Sequence, residues 1–155
     1  MGIDLTQVEG FDEKMLPDIL CITGADMGKW PTAQHFTGWL NLSPRRQITG
    51  GRYTGNQTRR TGNPATQALR LSAQSVGAKS KGPLGTLYRR LSATKGSRTA
   101  VKAVARKLGI LFYTLVKNRV PYDPRITAER IRKQADRDTR RLHNMAKKSA
   151  MNSKK

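Results

Sequence analysis

The chain has 155 residues, with 30 lysines and arginines against 10 acids, a net charge of +20 and a mean hydropathy of −0.64. That length allows one compact domain with a modest core and a tail, and self-repulsion on this scale calls for a polyanionic partner or counterions. One cysteine excludes an internal disulfide framework, and no long apolar run, lipidation box or secretory signal supports a membrane partner.

In chain order, Asp4 reads as the cap of a short helix through Val8, and Gly10 as a turn at positive φ. Phe11, Met15, Ile19, Leu20 and Ile22 follow at helical spacing, with Pro17 expected to kink or shorten the helix and Gly24 to stop it. Cys21 falls in this apolar pattern and reads as a small buried hydrophobe. The whole is a helix-hairpin-helix start over 3–24. Glu9, Asp12 and Glu13 crowd its hairpin, which favours packing over phosphate contact there.

Trp30-Pro31 opens a second unit, in which Thr32 caps a short helix presenting Phe36, Trp39, Leu40 and Leu42. The two tryptophans and Phe36 read as core. From Arg45 to Asn63 the chain is polar and glycine-rich, an extended loop that admits a short hairpin around Gly50-Gly51. Asn63-Pro64 opens a helix with a face of Ala65, Ala68, Leu69, Leu71, Ser72, Ala73 and Val76. Gly82-Pro83 breaks it, and a helix through Leu84, Leu87, Tyr88 and Leu91 follows. Ser97 reads as the cap of a longer helix, whose stripe runs Val101, Val104, Ala105, Leu108, Leu111, Phe112, Leu115, Val116. Pro121-Tyr122-Asp123-Pro124 marks a boundary. Beyond it, 126–148 reads as a solvated, charged helix that frays into the C-terminus. The fold class is mainly α: the helix-hairpin-helix start, a glycine-rich loop at 45–63, a small helical bundle to residue 120, and a basic helical or disordered tail over 121–155.

Between Met27 and Tyr122 there is no aspartate or glutamate, while eighteen of the thirty basic residues fall there. Such a segment suits a phosphate-bearing surface. At its centre Ile48-Thr49-Gly50-Gly51-Arg52 sets a hydroxyl beside two glycines and an arginine, with Arg59 and Arg60 close behind. Glycines let a backbone approach closely, guanidinium groups stabilise charge on phosphate oxygens, and a hydroxyl can attack a phosphodiester. An ordinary turn beside a phosphate-binding arginine explains the same residues. The motif is not a P-loop, and with no carboxylate cluster in the basic stretch a self-contained two-metal nuclease is not expected. His35 and His143 are too far apart and too poorly accompanied for a metal site, so no cofactor is expected in this chain.

Several motifs occur in a fixed order: Gly2-Ile3-Asp4-Leu5-Thr6-Gln7-Val8-Glu9-Gly10-Phe11, Trp30-Pro31 with His35-Phe36, Trp39-Leu40-Asn41-Leu42-Ser43-Pro44, Thr49-Gly50-Gly51-Arg52, Thr58-Arg59-Arg60, and Ala68-Leu69-Arg70-Leu71-Ser72-Ala73-Gln74-Ser75. Together they resemble the C-terminal domain of the insertion sequence 110/1111 (also 116/902) transposases, the DEDD-type, bridge-RNA-guided serine recombinases. The resemblance runs from about Gly2 to Val120. It implies DNA (transposon ends and target) as partner, a structured guide RNA, and an oligomer with full-length transposase. It also implies magnesium in an N-terminal RuvC-like domain that lies outside this sequence. The family's catalytic serine falls at Thr49, which keeps the hydroxyl and adds a methyl. Arg45, Arg46, Gly50, Gly51, Arg52, Arg59, Arg60, Arg89 and Arg90 are the expected nucleic-acid contacts. Ile22 departs from a position where relatives often carry glutamate. The expectation is a truncated or decayed transposase copy, or a fragment whose other part is encoded separately, not catalytic alone, in the prokaryotic cytoplasm near the nucleoid. The alternative is a non-catalytic basic protein of the nucleoid or ribosome.

Overall fold

A computed structural model describes residues 4–57 and 62–152 of the chain. The architecture is mainly α. The elements in order are α1 (Met15–Thr23), a 3₁₀ turn (Met27–Lys29), α2 (Ala33–Trp39), β1 (Arg45–Thr49), β2 (Arg52–Gln57), α3 (Pro64–Lys79), α4 (Pro83–Lys95), α5 (Ser97–Asn118) and α6 (Pro124–Asn152). They fall into two compact units, Met1–Tyr122 and Asp123–Lys155.

The first unit is organised around α5, against which α2, α3 and α4 pack. Its stripe of Val104, Ala105, Leu108, Phe112, Leu115 and Val116 is buried, as the 3.6-residue period predicts. Phe112 sits at the junction of the layers, with ring centroids 6.2 Å from Phe11 and 6.1 Å from Phe36. At the next position the Tyr113 hydroxyl donates to the Trp30 carbonyl at 2.7 Å and accepts from Lys117 Nζ at 2.7 Å. This buried hydroxyl is thereby satisfied, which locks the Trp30-Pro31 corner onto α5. The turn of the chain at Arg119, in the left-handed region with φ 51°, ends the helix.

Helix starts follow the chemistry of their caps. Thr32 accepts from the His35 N–H to begin α2, and Asn63 accepts from the Ala65 N–H to begin α3, with Pro64 in the first turn. Asp12 accepts from the Lys14 and Met15 N–H groups ahead of α1. Pro17 lies in the first turn of α1, where its missing N–H costs no helical bond, and the helix is nine residues long. Thr66 on α3 donates its hydroxyl to the Leu40 carbonyl at 2.8 Å, tying α3 to the end of α2.

Glu9 of the N-terminal stretch has partners inside the fold. Ser80 donates to the Glu9 carboxylate at 2.6 Å, and the Gly85 N–H approaches it at 3.4 Å. Glu9 therefore places negative charge at the start of α4, where the helix dipole favours it. Gly10 adopts φ +88°, and a Cβ there would collide with Val76 and crowd the Ser72 carbonyl. The loop lies that close to α3, so the position admits only glycine.

Several expectations are corrected. Residues 4–10 form turns, not a helix: Asp4 accepts from the Thr6 N–H and hydroxyl, and one Val8-to-Leu5 bond closes the turn. A single turn cannot repay helix nucleation. Cys21 is exposed, and Ile22 is 38 % exposed, because α1 buries Leu16, Ile19 and Thr23 instead. Thr23 can face inward because its hydroxyl donates to the Ile19 carbonyl at 2.9 Å. Leu71 lies on the outer side of α3 at 66 % exposure, and Trp39 is 40 % exposed while Phe36 is fully buried. Gly96, at φ 82°, occupies the N-cap of α5, and Ser97 is its first residue.

The second unit is α6, which is largely exposed through Lys147. Lys133 pairs with Glu129 one turn away at 2.5 Å, and Gln134 donates to Asp138 at 3.1 Å. No helix among the described residues is long and apolar enough to cross a membrane.

Candidate nucleic-acid interface

The polar segment, expected as an extended loop that admits a short hairpin around Gly50-Gly51, forms that hairpin, with paired strands through residue 57. β1 and β2 pair antiparallel, with Arg45 opposite Gln57, Arg46 opposite Asn56, Gln47 opposite Gly55, Ile48 opposite Tyr53 and Thr49 opposite Arg52. Gly50 and Gly51 form the two-residue turn, at φ 55° and 74°. Positive φ at both central positions is what a type I′ hairpin turn demands, and glycine meets it without strain. The register shifts between Gln47 and Ile48, so Thr54 is the extra residue of a bulge. Its hydroxyl donates to the Gln47 carbonyl at 3.3 Å, and neighbouring Gly55 adopts φ 145°. Bulges strengthen the local twist of a ribbon and re-aim the side chains beyond them.

Directly opposed residues share a face of a sheet, and successive residues alternate faces. Thr49 and Arg52 therefore lie on one face of the ribbon tip, with Cα atoms about 5.5 Å apart for such a closing pair. Ile48 and Tyr53 lie on the other. All four are exposed; Ile48 is 62 % and Tyr53 53 % accessible. A Cβ built at Gly50, Gly51 or Gly55 meets nothing within 4 Å. The turn thus has open space around its glycines among the described residues, with a hydroxyl and a guanidinium on one face of the ribbon and Ile48 with Tyr53 on the other. Sequence reasoning missed Ile48 and Tyr53, although a β-branched and an aromatic residue flanking Gly-Gly are a hairpin signal.

Of the remaining expected contacts, Arg45 and Arg46 occupy the first two positions of β1, at the base of the ribbon. Arg59 and Arg60 lie outside the described residues. Arg89 and Arg90 are exposed on α4, which packs on α3 and α5. The Arg89 guanidinium donates to the Ser80 carbonyl at 2.8 Å and toward the Thr86 hydroxyl at 3.4 Å, fastening the α3–α4 corner. The structure brings together Thr49, Gly50, Gly51 and Arg52, while Arg89 and Arg90 belong to a separate helical surface.

Magnesium finds no fit at the hairpin. No carboxylate occurs between Met27 and Tyr122, and no cluster of three His, Cys, Asp or Glu side chains exists among the described residues. The perturbed acids lie elsewhere. Hydrogen bonds from the Thr6 hydroxyl and N–H hold the Asp4 carboxyl below its ordinary value, and Lys133 does the same for Glu129 through a hydrogen bond and its charge.

The sequence model of the Transposase IS116/IS110/IS902 family matches residues 4–89, more than half of the chain. The match spans α1, α2, the whole hairpin and α3, and ends within α4. No curated protein matches the chain.

Proposed function

The chain belongs to the Transposase IS116/IS110/IS902 family, and from that premise we propose that it is a DNA-binding transposase domain whose hairpin, Arg45–Gln57, holds a sugar–phosphate strand. The observation that carries this reading is the exposed pairing of Thr49 with Arg52 across a diglycine turn, inside a stretch with no acid to repel phosphate. Arg52 pairs with a phosphate oxygen, and the bare turn lets the strand approach the backbone. Ile48 and Tyr53, on the opposite face, offer an apolar and aromatic surface to bases or sugars. Arg45 and Arg46, with Arg59 and Arg60 beyond the hairpin, extend the cationic track. Arg90 holds backbone phosphate on α4, and Arg89 adds to it with whatever donors its intramolecular bonds leave over.

In this reading the Thr49 hydroxyl stands where the resembled family's serine acts. Its attack on phosphorus would form an Oγ–P bond, break the bond to a deoxyribose oxygen, and leave the threonine's proton on that departing oxygen. The chain's own contribution is to orient the hydroxyl and to neutralise the phosphate. Magnesium belongs, by the same resemblance, to a RuvC-like domain, and the residues here do not fit it. A guide RNA and an oligomer with full-length transposase complete the proposal on resemblance alone. The family match does not favour the ribosome- or nucleoid-protein alternative.

Binding of the full chain to a labelled DNA duplex, followed by fluorescence anisotropy across a salt series, tests this. Affinity should fall steeply with salt, and Arg52→Gln should flatten the log–log slope by about 0.9, the share of one neutralised phosphate. Affinity that is flat from low to high salt would remove the proposal.

A further inference from the structure

Where the start of α5 meets α3 and α4, Arg70, Gln74, Tyr88, Ser97, Arg98 and Lys102 line a cavity of about 330 Å³, open to solvent. Three of these six side chains are cations, and none is acidic. The Nε of Arg70 is buried and has no hydrogen-bond partner among the described residues. A buried guanidinium N–H left unpaired is costly, and the Arg70 side chain that carries it is part of the cavity lining. The first turn of α5 adds to the field: no side chain caps it, no acid lies in it, and its 22 residues give it a full helix dipole. Tyr88 is held in place, because its ring lies against Gly77, where a Cβ would come within 2.5 Å of it.

We propose that this cavity is a second phosphate site, which takes one phosphodiester of a nucleic-acid strand together with the adjoining sugar. Three sources of positive potential meet there: the Arg70 guanidinium, the Arg98 and Lys102 side chains, and the N–H groups that open α5. The cavity is roomier than a bare phosphate requires, and the ring of Tyr88 with the neighbouring Val101 gives the sugar or base an apolar wall. This is the argument for a strand over a free anion. Ser97, Arg98 and Lys102 lie beyond the family match, so the site belongs to a part of the chain that the match does not describe. The proposal rests on the DNA-binding reading but uses no residue of the hairpin.

The test is a titration of the ¹⁵N-labelled full chain, once with inorganic phosphate and once with a short DNA duplex, followed by NMR. A parallel titration uses the Arg98→Gln/Lys102→Gln variant. Both side chains are exposed, so the variant should keep the parent's urea midpoint. The duplex should move the amides of Ser97 to Lys102 as well as those of Thr49 to Arg52. The variant should lose the first set, keep the second, bind roughly tenfold more weakly, and show a salt slope flatter by about 0.9. Duplex-induced shifts at 49–52 alone overturn the cavity site and leave the hairpin reading standing. Shifts at 97–102 alone support the cavity and remove the hairpin. No shift in either set overturns both. Inorganic phosphate that saturates the 97–102 shifts as tightly as the duplex does reassigns the cavity to a free anion and overturns the strand.

Discussion

The hairpin and the helical core use glycine for opposite reasons. In the core, Gly10 and Gly77 are small because a Cβ would meet Val76 or the ring of Tyr88; space is the constraint at both, with a positive φ added at Gly10. At the hairpin tip, Gly50 and Gly51 have open space around them, and only their positive φ requires glycine. One region is shaped by its own neighbours. The other keeps a backbone that only glycine adopts without strain, and it presents Thr49 and Arg52 exposed on one face of a turn. That contrast directs attention to the hairpin as the surface that meets a partner, and it can be attacked from both sides.

The largest effect belongs to the core. Phe112 is fully buried and edges onto Phe11 while stacking on Phe36, so Phe112→Ala should destabilise the fold by about 3–5 kcal/mol. That is a large share of the roughly 5–15 kcal/mol that holds a typical domain together. Urea denaturation reads it as a lowered midpoint with an unchanged slope. A sharper comparison applies one substitution to both regions. Gly10→Ala meets both the φ penalty and the Val76 collision, and should lower the urea midpoint by the equivalent of at least about 1–2 kcal/mol. Gly50→Ala meets only the φ penalty, at a ribbon that does not brace the core. Its midpoint should move little while DNA affinity drops. Equal midpoints for the two alanine variants would erase the distinction.

The pH response should be smaller still. Asp4 and Glu129 have carboxyl groups held below their ordinary values by hydrogen bonds. A group whose folded pKa is depressed stabilises fully above the unfolded value, and loses that contribution as pH falls through the folded one. Both residues are exposed, so the loss should be slight and confined to acid conditions. DNA affinity, carried by permanently charged guanidinium side chains and by no histidine of the hairpin, should stay level from about pH 6 to 9. A titration of affinity near neutral pH would point to a different contact group.

How much of this could be read in advance depended on how far each signal reached along the chain. The stripe of α5 repeats over about four turns, so its period was unmistakable, and the caps Thr32 and Asn63 act within three residues of themselves. α1 offered only nine residues, almost all apolar, and the period could not choose between Cys21 and Thr23 for the inside. The choice fell to Thr23 because a hydroxyl can return its bond to the preceding turn, an option that hydrophobicity does not register. Thr49, Gly50, Gly51 and Arg52 were legible as a cluster because they are adjacent, but the sorting of Thr49 with Arg52 and of Ile48 with Tyr53 needed the register. The cavity at the start of α5 unites residues from three helices. No local pattern contains it.

Thr49→Ala is the quietest change for fold and binding and the most telling for chemistry. The side chain is exposed at the ribbon tip, and the phosphate charge is met by arginine, not by the hydroxyl. Losing a β-branched residue from a strand end should cost no more than a few tenths of a kcal/mol. The urea midpoint and the salt slope should therefore match the parent. If the hydroxyl is a nucleophile, the difference appears only when a carboxylate-bearing, metal-binding domain of the same family is supplied with nicked or intact transposon-end DNA. The parent should then form a denaturation-resistant protein–DNA adduct, and Thr49→Ala should form none. Thr49→Ser removes the methyl group that crowds an in-line approach, and should form the adduct at least as fast as the parent. Adducts from both the parent and the alanine variant, or from neither, would take the nucleophile's role away from Thr49 while leaving the hairpin as a strand-holding surface.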